Sequence, residues 1–366
     1  MEAWEKVLAD DKDFAASVHG QVGCVLCHGG NDSEVEMNEA GMQVAHQGVI
    51  ADPSNLTCYS CHKEIAEKAD DNFHQTLSGM KGALMVRGGD MSEGSVVAEA
   101  FENHCNTCHT TCGQCHVSIP TQAGGGLTSG HEFKSPPLMK DNCVTCHGAR
   151  AGNEFLGVYE GIPKDVHRMK GMQCKSCHGE EIHYSSGAEM ETRYDSAQAA
   201  SCDDSGCHDD VWTTREDNPY HAQHLDDLSC YVCHSVEYKN CYSCHAEINE
   251  EGEPVFTTEP AKMDFKIGLN PIQSEERSSK YVVLRHVPTN AHVFDYYGEN
   301  LLPEFDNLPT WKYATPHNIQ LNTPQTESCD SCHGNVELFL TAEDVPEGEM
   351  DANRGVIVEE IPDPNW

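Results

Sequence analysis

A chain of 366 residues with 60 acidic against 23 basic residues carries a formal charge of −37. That charge disfavours nucleic acid and anionic membrane as partners and suits cations, positively charged proteins and mineral surfaces. Only 38% of the residues are hydrophobic and no run reaches the length of a membrane-spanning helix, a balance that in an ordinary chain argues against a packed interior.

The spacing of Trp4, Val7, Leu8 and Phe14 predicts a short amphipathic helix over 1–18. His19 follows, and then Cys24, Cys27 and His28 form the first Cys-x-x-Cys-His pattern. The pattern recurs at Cys58, Cys61 and His62, flanked by His46 and His74, before a connecting loop and helix over 79–100. His104 precedes a tandem in which Cys105, Cys108 and His109 are separated by two residues from Cys112, Cys115 and His116. After Gly124-Gly125-Gly126 come His131, the clamp Cys143, Cys146 and His147, then His167, the clamp Cys174, Cys177 and His178, and His183.

Cys202 and Cys207 are four residues apart instead of two, yet His208 still closes the pattern. His221 and His224, three apart, can share one helix face. Two clamps follow closely, Cys230, Cys233 and His234, then Cys241, Cys244 and His245. The interval 246–328 lacks cysteine, holds His286, His292 and His317, and predicts irregular chain with a few short strands such as Tyr281-Val282-Val283-Leu284. Cys329, Cys332 and His333 form the last clamp, ahead of an acidic tail in which Val356-Ile357-Val358 reads as an edge strand.

In Cys-x-x-Cys-His the two thiols add to the vinyl groups of a haem, and the adjacent imidazole reaches the iron as its proximal ligand. A Cys-x-x-Cys pair alone would also suit half a zinc site or a redox dithiol, but here histidine follows the second cysteine ten times out of ten. The wide pattern at 202–208 counts as the tenth clamp, and all twenty cysteines are then used. Ten haems in 366 residues leave about 37 residues for each, too few for a separate protein core around every one. The expected fold is therefore mostly irregular chain with short α-helices wrapped around a stack of c-type haems, with few short β-strands. It divides into 1–117 with four clamps, 118–245 with five, and 246–366 with the last, all within one continuous haem-cored unit. Haem attachment of this kind belongs to exported proteins, so the numbering is expected to describe a chain whose signal peptide has been removed.

Ten clamp histidines leave twelve others, and ten irons need ten sixth ligands. The predicted set is His19, His46, His74, His104, His131, His167, His183, His221, His224, His286 and His317. His292, six residues after His286, is set aside. An iron with both axial positions filled has no place for substrate, so the expected role is electron transfer, without enzyme activity. The competing expectation is a reductase of a small nitrogen or sulfur oxyanion, with altered tethering at 202–208 opening a distal face. Polymerisation is a third expectation, in which a histidine or the 356–358 strand is supplied to a neighbouring copy.

The runs Cys108-His109-Thr110-Thr111-Cys112-Gly113-Gln114-Cys115-His116-Val117-Ser118, Asp165-Val166-His167-Arg168-Met169-Lys170-Gly171-Met172-Gln173-Cys174 and Trp311-Lys312-Tyr313-Ala314-Thr315-Pro316-His317 resemble segments of extracellular multihaem cytochromes of metal-reducing bacteria and related anaerobes. The first run also resembles octahaem tetrathionate-reductase-like proteins. The likeness implies bis-histidine haems carrying electrons from the cell envelope to outside acceptors such as metal oxides or electrodes, in some relatives as filaments, and it implies His167 and His317 as sixth ligands. The chain lacks room for the β-barrel domains of large outer-membrane decahaem cytochromes. It has no Cys-x-x-Cys-Lys, the pattern of the active haem in multihaem nitrite reductases.

Overall fold

The computed structural model describes residues 12–31, 48–106, 110–120, 124–179, 182–183, 194, 200–236, 241–261, 265–287 and 291–363. Trp4, Val7, Leu8, His46, Cys108 and His109 lie outside them. The chain forms two compact units from interleaved segments, one from Met1–Leu77, Asn106–Cys146 and His178–Met190, the other from Ser78–Cys105, His147–Cys177 and Glu191–Trp366. These bounds cut across the expected divisions after 117 and 245. Among the described residues no helix is long and apolar enough to cross a membrane.

In the first unit the helices are short. Lys12–Ala16 and Val18–Gln21 lead into the clamp helix Cys24–His28, which is bounded by Gly23 and Gly29 at φ 83° and 72°. At such angles a Cβ is strained, so glycine is needed to turn the chain on either side of the cysteines. A π-helical turn, Ser54–Cys58, runs into Tyr59–Cys61 and Lys63–Ala69, and Phe73–Thr76 follows. Cys112–His116 is started by a capping box in which the Gln114 N–H donates to Thr111 Oγ1 and the Thr111 N–H donates to Gln114 Oε1. The buried apolar side chains described in this unit are Ala66, Ala69, Leu77, Val117 and Met139, too little apolar surface to hold a unit of this size together. Val18 is 79% exposed, and Leu26 and Leu56 are each 62% exposed beside the first two clamps, apolar surface of the sort a clamped porphyrin covers.

The second unit does have a protein core, and it is a sheet. Strand β1 (Cys241–Ile248) pairs antiparallel with β2 (Pro254–Ala261). Separately, β3 (Phe265–Leu269), β4 (Tyr281–His286) and β5 (Trp311–Tyr313) form an antiparallel sheet in which Ile267 faces Val283 and His286 faces Trp311. Successive side chains of a strand point to opposite faces, and β4 is apolar at Val282, Val283 and Leu284, so it buries both. Val283 packs with Val232, Ile267, Ala314, Phe339 and Val358, while Val282 and Leu284 pack with Trp311, Leu340, Val345 and Val356. Val232 lies inside the clamp helix Cys230–His234, so the sheet fixes that clamp directly.

The tail residues Val356 and Val358 are 2% and 4% exposed. Leu269 N–H donates to Val356 O and Val358 N–H donates to Leu340 O, both within this chain. That burial corrects the expectation of a strand offered to a neighbouring copy. Gly268 permits the tail's approach, since a Cβ there would stand 2.2 Å from Leu284 Cδ1 and 2.7 Å from Val356 O. A third cluster, Val97, Ala100, Ala246, Phe294 and Leu302, packs the helix Val96–His104 against the end of β1.

Candidate haem-binding centres

Among the described residues six pairs of imidazoles face one another, and each joins a clamp histidine to one outside the clamps. In the first unit these are His62 with His19, His28 with His131, and His116 with His183, at ring-centroid separations of 6.1, 5.8 and 5.9 Å. In the second they are His208 with His167, His234 with His221, and His333 with His224, at 6.2, 6.3 and 6.0 Å. Two metal–imidazole bonds of about 2 Å each put the coordinating nitrogens roughly 4 Å apart, and adding a ring radius on each side gives centroids roughly 6 Å apart. The donor sets therefore fit an iron between each pair, with a porphyrin supplying the other four ligands. Among the described residues no cluster of three or more His, Cys, Asp or Glu side chains is arranged to hold a metal ion, and no cysteine forms a disulfide.

The outer ring nitrogens support the same assignment. His28 Nδ1 donates to Ile50 O at 2.7 Å, His116 Nδ1 to Lys134 O at 2.7 Å, His234 Nδ1 to Gln320 O at 3.2 Å and His333 Nδ1 to Asp363 O at 3.2 Å. A carbonyl oxygen can only accept, so the proton sits on Nδ1 and Nε2 is bare for metal. Across the sites, His224 Nδ1 meets Tyr220 O at 2.9 Å and His167 Nδ1 lies 3.3 Å from Asp165 Oδ1. Burial, and then the facing clamp histidine, lowers the pKa of His19, His183 and His221. His131 is lowered mainly by burial, with His28 and His19 contributing. Each shift favours the neutral imidazole, the form that coordinates. His131 sits at φ 80°, a backbone state uncommon outside glycine, with Phe14 at 4.4 Å against its ring. Phe133 stacks on His19 at 3.9 Å.

The wide clamp closes as the ordinary ones do. In those, the histidine N–H donates to the carbonyl of the first cysteine, His62 to Cys58 and His333 to Cys329, each at 2.8 Å. At the wide clamp His208 N–H donates to Cys202 O at 3.1 Å, and the two extra residues loop out in a turn with Cys207 N–H on Asp204 O and Gly206 at φ 83°. His167 then stands across from His208 as the other outer histidines stand across from theirs.

The remaining predicted ligands divide. His74 is held through Nδ1 by Asn72 Oδ1 at 3.0 Å, and its carbonyl accepts from Thr110 N–H between the tandem clamps. His104, 1% exposed and lowered in pKa by burial, has Nε2 2.8 Å from the Tyr297 hydroxyl. His286 lies in β4 with Nε2 2.9 Å from Glu349 Oε2 and its ring against Trp311; the structure brings it to no described clamp histidine. His292, 3.1 Å from Asp295, lines a cavity with Ala246 and Ile248 just past the ninth clamp, a position its spacing from His286 gave no hint of. His147 ends the helix Val144–His147, and His178 follows the turn Cys174–Ser176. Of the ninth clamp, the backbone lies in β1, where the ordinary clamps described elsewhere form helical turns.

His317 N–H donates to Glu154 Oε2 at 2.8 Å. Glu154 is fully buried, its Oε1 has no hydrogen-bond partner among the described residues, and burial pushes its carboxyl up to about 8. A raised folded-state pKa gives stability that is complete below the ordinary carboxylate range and is lost as pH rises through about 8. Thermal melts are expected to fall over that window by several kcal/mol in stability, on the order of 4, and Glu154→Gln is expected to flatten the dependence. An unchanged pH profile in that variant would contradict the assignment.

Compared with protein-family models, curated proteins and solved structures, the chain finds no match in any of the three.

Proposed function

We propose that the chain is a decahaem c-type cytochrome that carries electrons along closely spaced bis-histidine haems to partners or acceptors outside the cell. The observation that carries the reading is the set of six clamp-to-outer histidine pairs at 5.8 to 6.3 Å. When bound, the haem irons supply reversible one-electron chemistry, and the chain's contribution is to tether, orient and shield them. An axial pair leaves no coordination position for substrate, which favours a conduit over an enzyme. The pair at His208 and His167 weighs against an oxyanion reductase whose open site would be the wide clamp. The acidic surface suits cationic redox partners, metal oxides and electrodes, and assembly into a homopolymer would extend the path.

Intact mass with a pyridine haemochrome count is expected to give ten haems, and the oxidised protein to give only low-spin signals in electron paramagnetic resonance. The ring planes of two pairs lie at 25° and 9° and those of four lie at 69° to 79°, so two families of low-spin signals are expected. Nine haems would remove the wide clamp from the set, and a stoichiometric high-spin signal would overturn the conduit.

A further inference from the structure

Nothing obliges attachment sites to follow one another in space as they do along the chain. In the first unit the second and fourth clamps are fastened together where their helices begin. Gly113 N–H, beside Cys112, donates to Ser54 Oγ at 2.7 Å, and Thr111 Oγ1 donates to Asp52 Oδ2 at 2.5 Å, both acceptors lying just before Cys58. The approach is too close for a side chain at 113, since a Cβ there would stand 2.8 Å from Ser54 Oγ. Next along, Asn142, the residue before Cys143, donates through Nδ2 to Gln114 O and Ser118 O at 3.2 and 3.1 Å, seating the fifth clamp on the fourth. The third clamp lies between the second and fourth in sequence.

The second unit repeats the arrangement with other residues. Thr323 Oγ1 donates to Cys233 O at 2.6 Å, and Gln325 Nε2 donates to Val232 O and Ser235 O at 3.0 and 2.7 Å. These bonds bind the chain entering the tenth clamp to the helix of the eighth. His221 and His224, on the single helix Pro219–His224, face His234 of the eighth clamp and His333 of the tenth. The ninth clamp lies between them in sequence, and its backbone is in β1.

From these contacts we infer that the haem on Cys58 and Cys61 is the immediate neighbour of the haem on Cys112 and Cys115. By the same reasoning, the haem on Cys230 and Cys233 is the immediate neighbour of the haem on Cys329 and Cys332. The inference rests on the haem reading above, and its test separates the two. Intact mass comes first, because a wild-type chain without haem ends both. With ten haems attached, electron cryo-microscopy of the loaded wild-type protein is expected to find each of these two haem pairs edge to edge. A haem from the third clamp lodged between the first pair, or one from the ninth between the second, would overturn the junctions while leaving the decahaem reading intact.

Discussion

Removing one imidazole, by His167→Ala, is expected to convert a single haem from low-spin to high-spin while the haem count stays at ten. His167 faces His208 at a ring separation of 6.2 Å, and Asp165 fixes its orientation by holding both its backbone N–H at 2.7 Å and its Nδ1 at 3.3 Å. Cys202, Cys207 and His208 are untouched, so attachment persists while the sixth position opens. The measurement is the fraction of iron that becomes high-spin in electron paramagnetic resonance, about one part in ten, together with binding of one carbon monoxide per reduced chain. Added imidazole is expected to restore the low-spin state by refilling the position. If the variant stays wholly low-spin without added ligand, His167 does not serve that iron.

The second large effect is on stability. Asp165 is 1% exposed and accepts three backbone hydrogen bonds, from His167 and Arg168 at the start of their helix through Oδ1 and from Ile319 through Oδ2 at 2.7 Å. It thereby caps one helix and stitches it to a segment about 150 residues away. Around it, Val166 N–H donates to Ile319 O, and Asn318 Nδ2 donates to Glu154 O and Pro163 O. Asp165→Ala is expected to cost about 2 to 4 kcal/mol, the sum of a lost cap and a buried N–H left without a partner, read as a lower denaturation midpoint of the haem-loaded protein. Asp165→Asn is expected to recover the cap but not the stitch, because its amide would point a donor at the Ile319 N–H. Full recovery by asparagine would mean that the bond to Ile319 contributes little.

The clamps were legible because their chemistry is local. Two cysteines and a histidine lie within five or seven consecutive residues, so the pattern can be read without any long-range contact. Which outer histidine meets which clamp was not legible, because the meetings are distant: His131 faces a clamp 103 residues earlier and His224 one 109 residues later. The carbonyls of Ile50, Lys134 and Gln320 that orient the His28, His116 and His234 rings had no signal at all, since any residue presents a carbonyl. His221 and His224 were readable as a shared helix face, although not that they would serve different clamps. His286 looked like its neighbours in composition, and only the sheet reveals its pairing with Glu349. The alternation of β4 was visible in Tyr281 to Leu284, but burial on both faces depends on a tail that returns from residue 356.

The helix Pro219–His224 is six residues long, is capped by Asn218 and carries the histidines that face two clamps. Asn218 Oδ1 accepts from the Tyr220 and His221 N–H groups, so the whole element turns on a single cap. Any rotation of it moves both imidazoles in the same instant and by related amounts. If haems sit at the eighth and tenth clamps as proposed, a single displacement of this helix would reach one histidine of each at once.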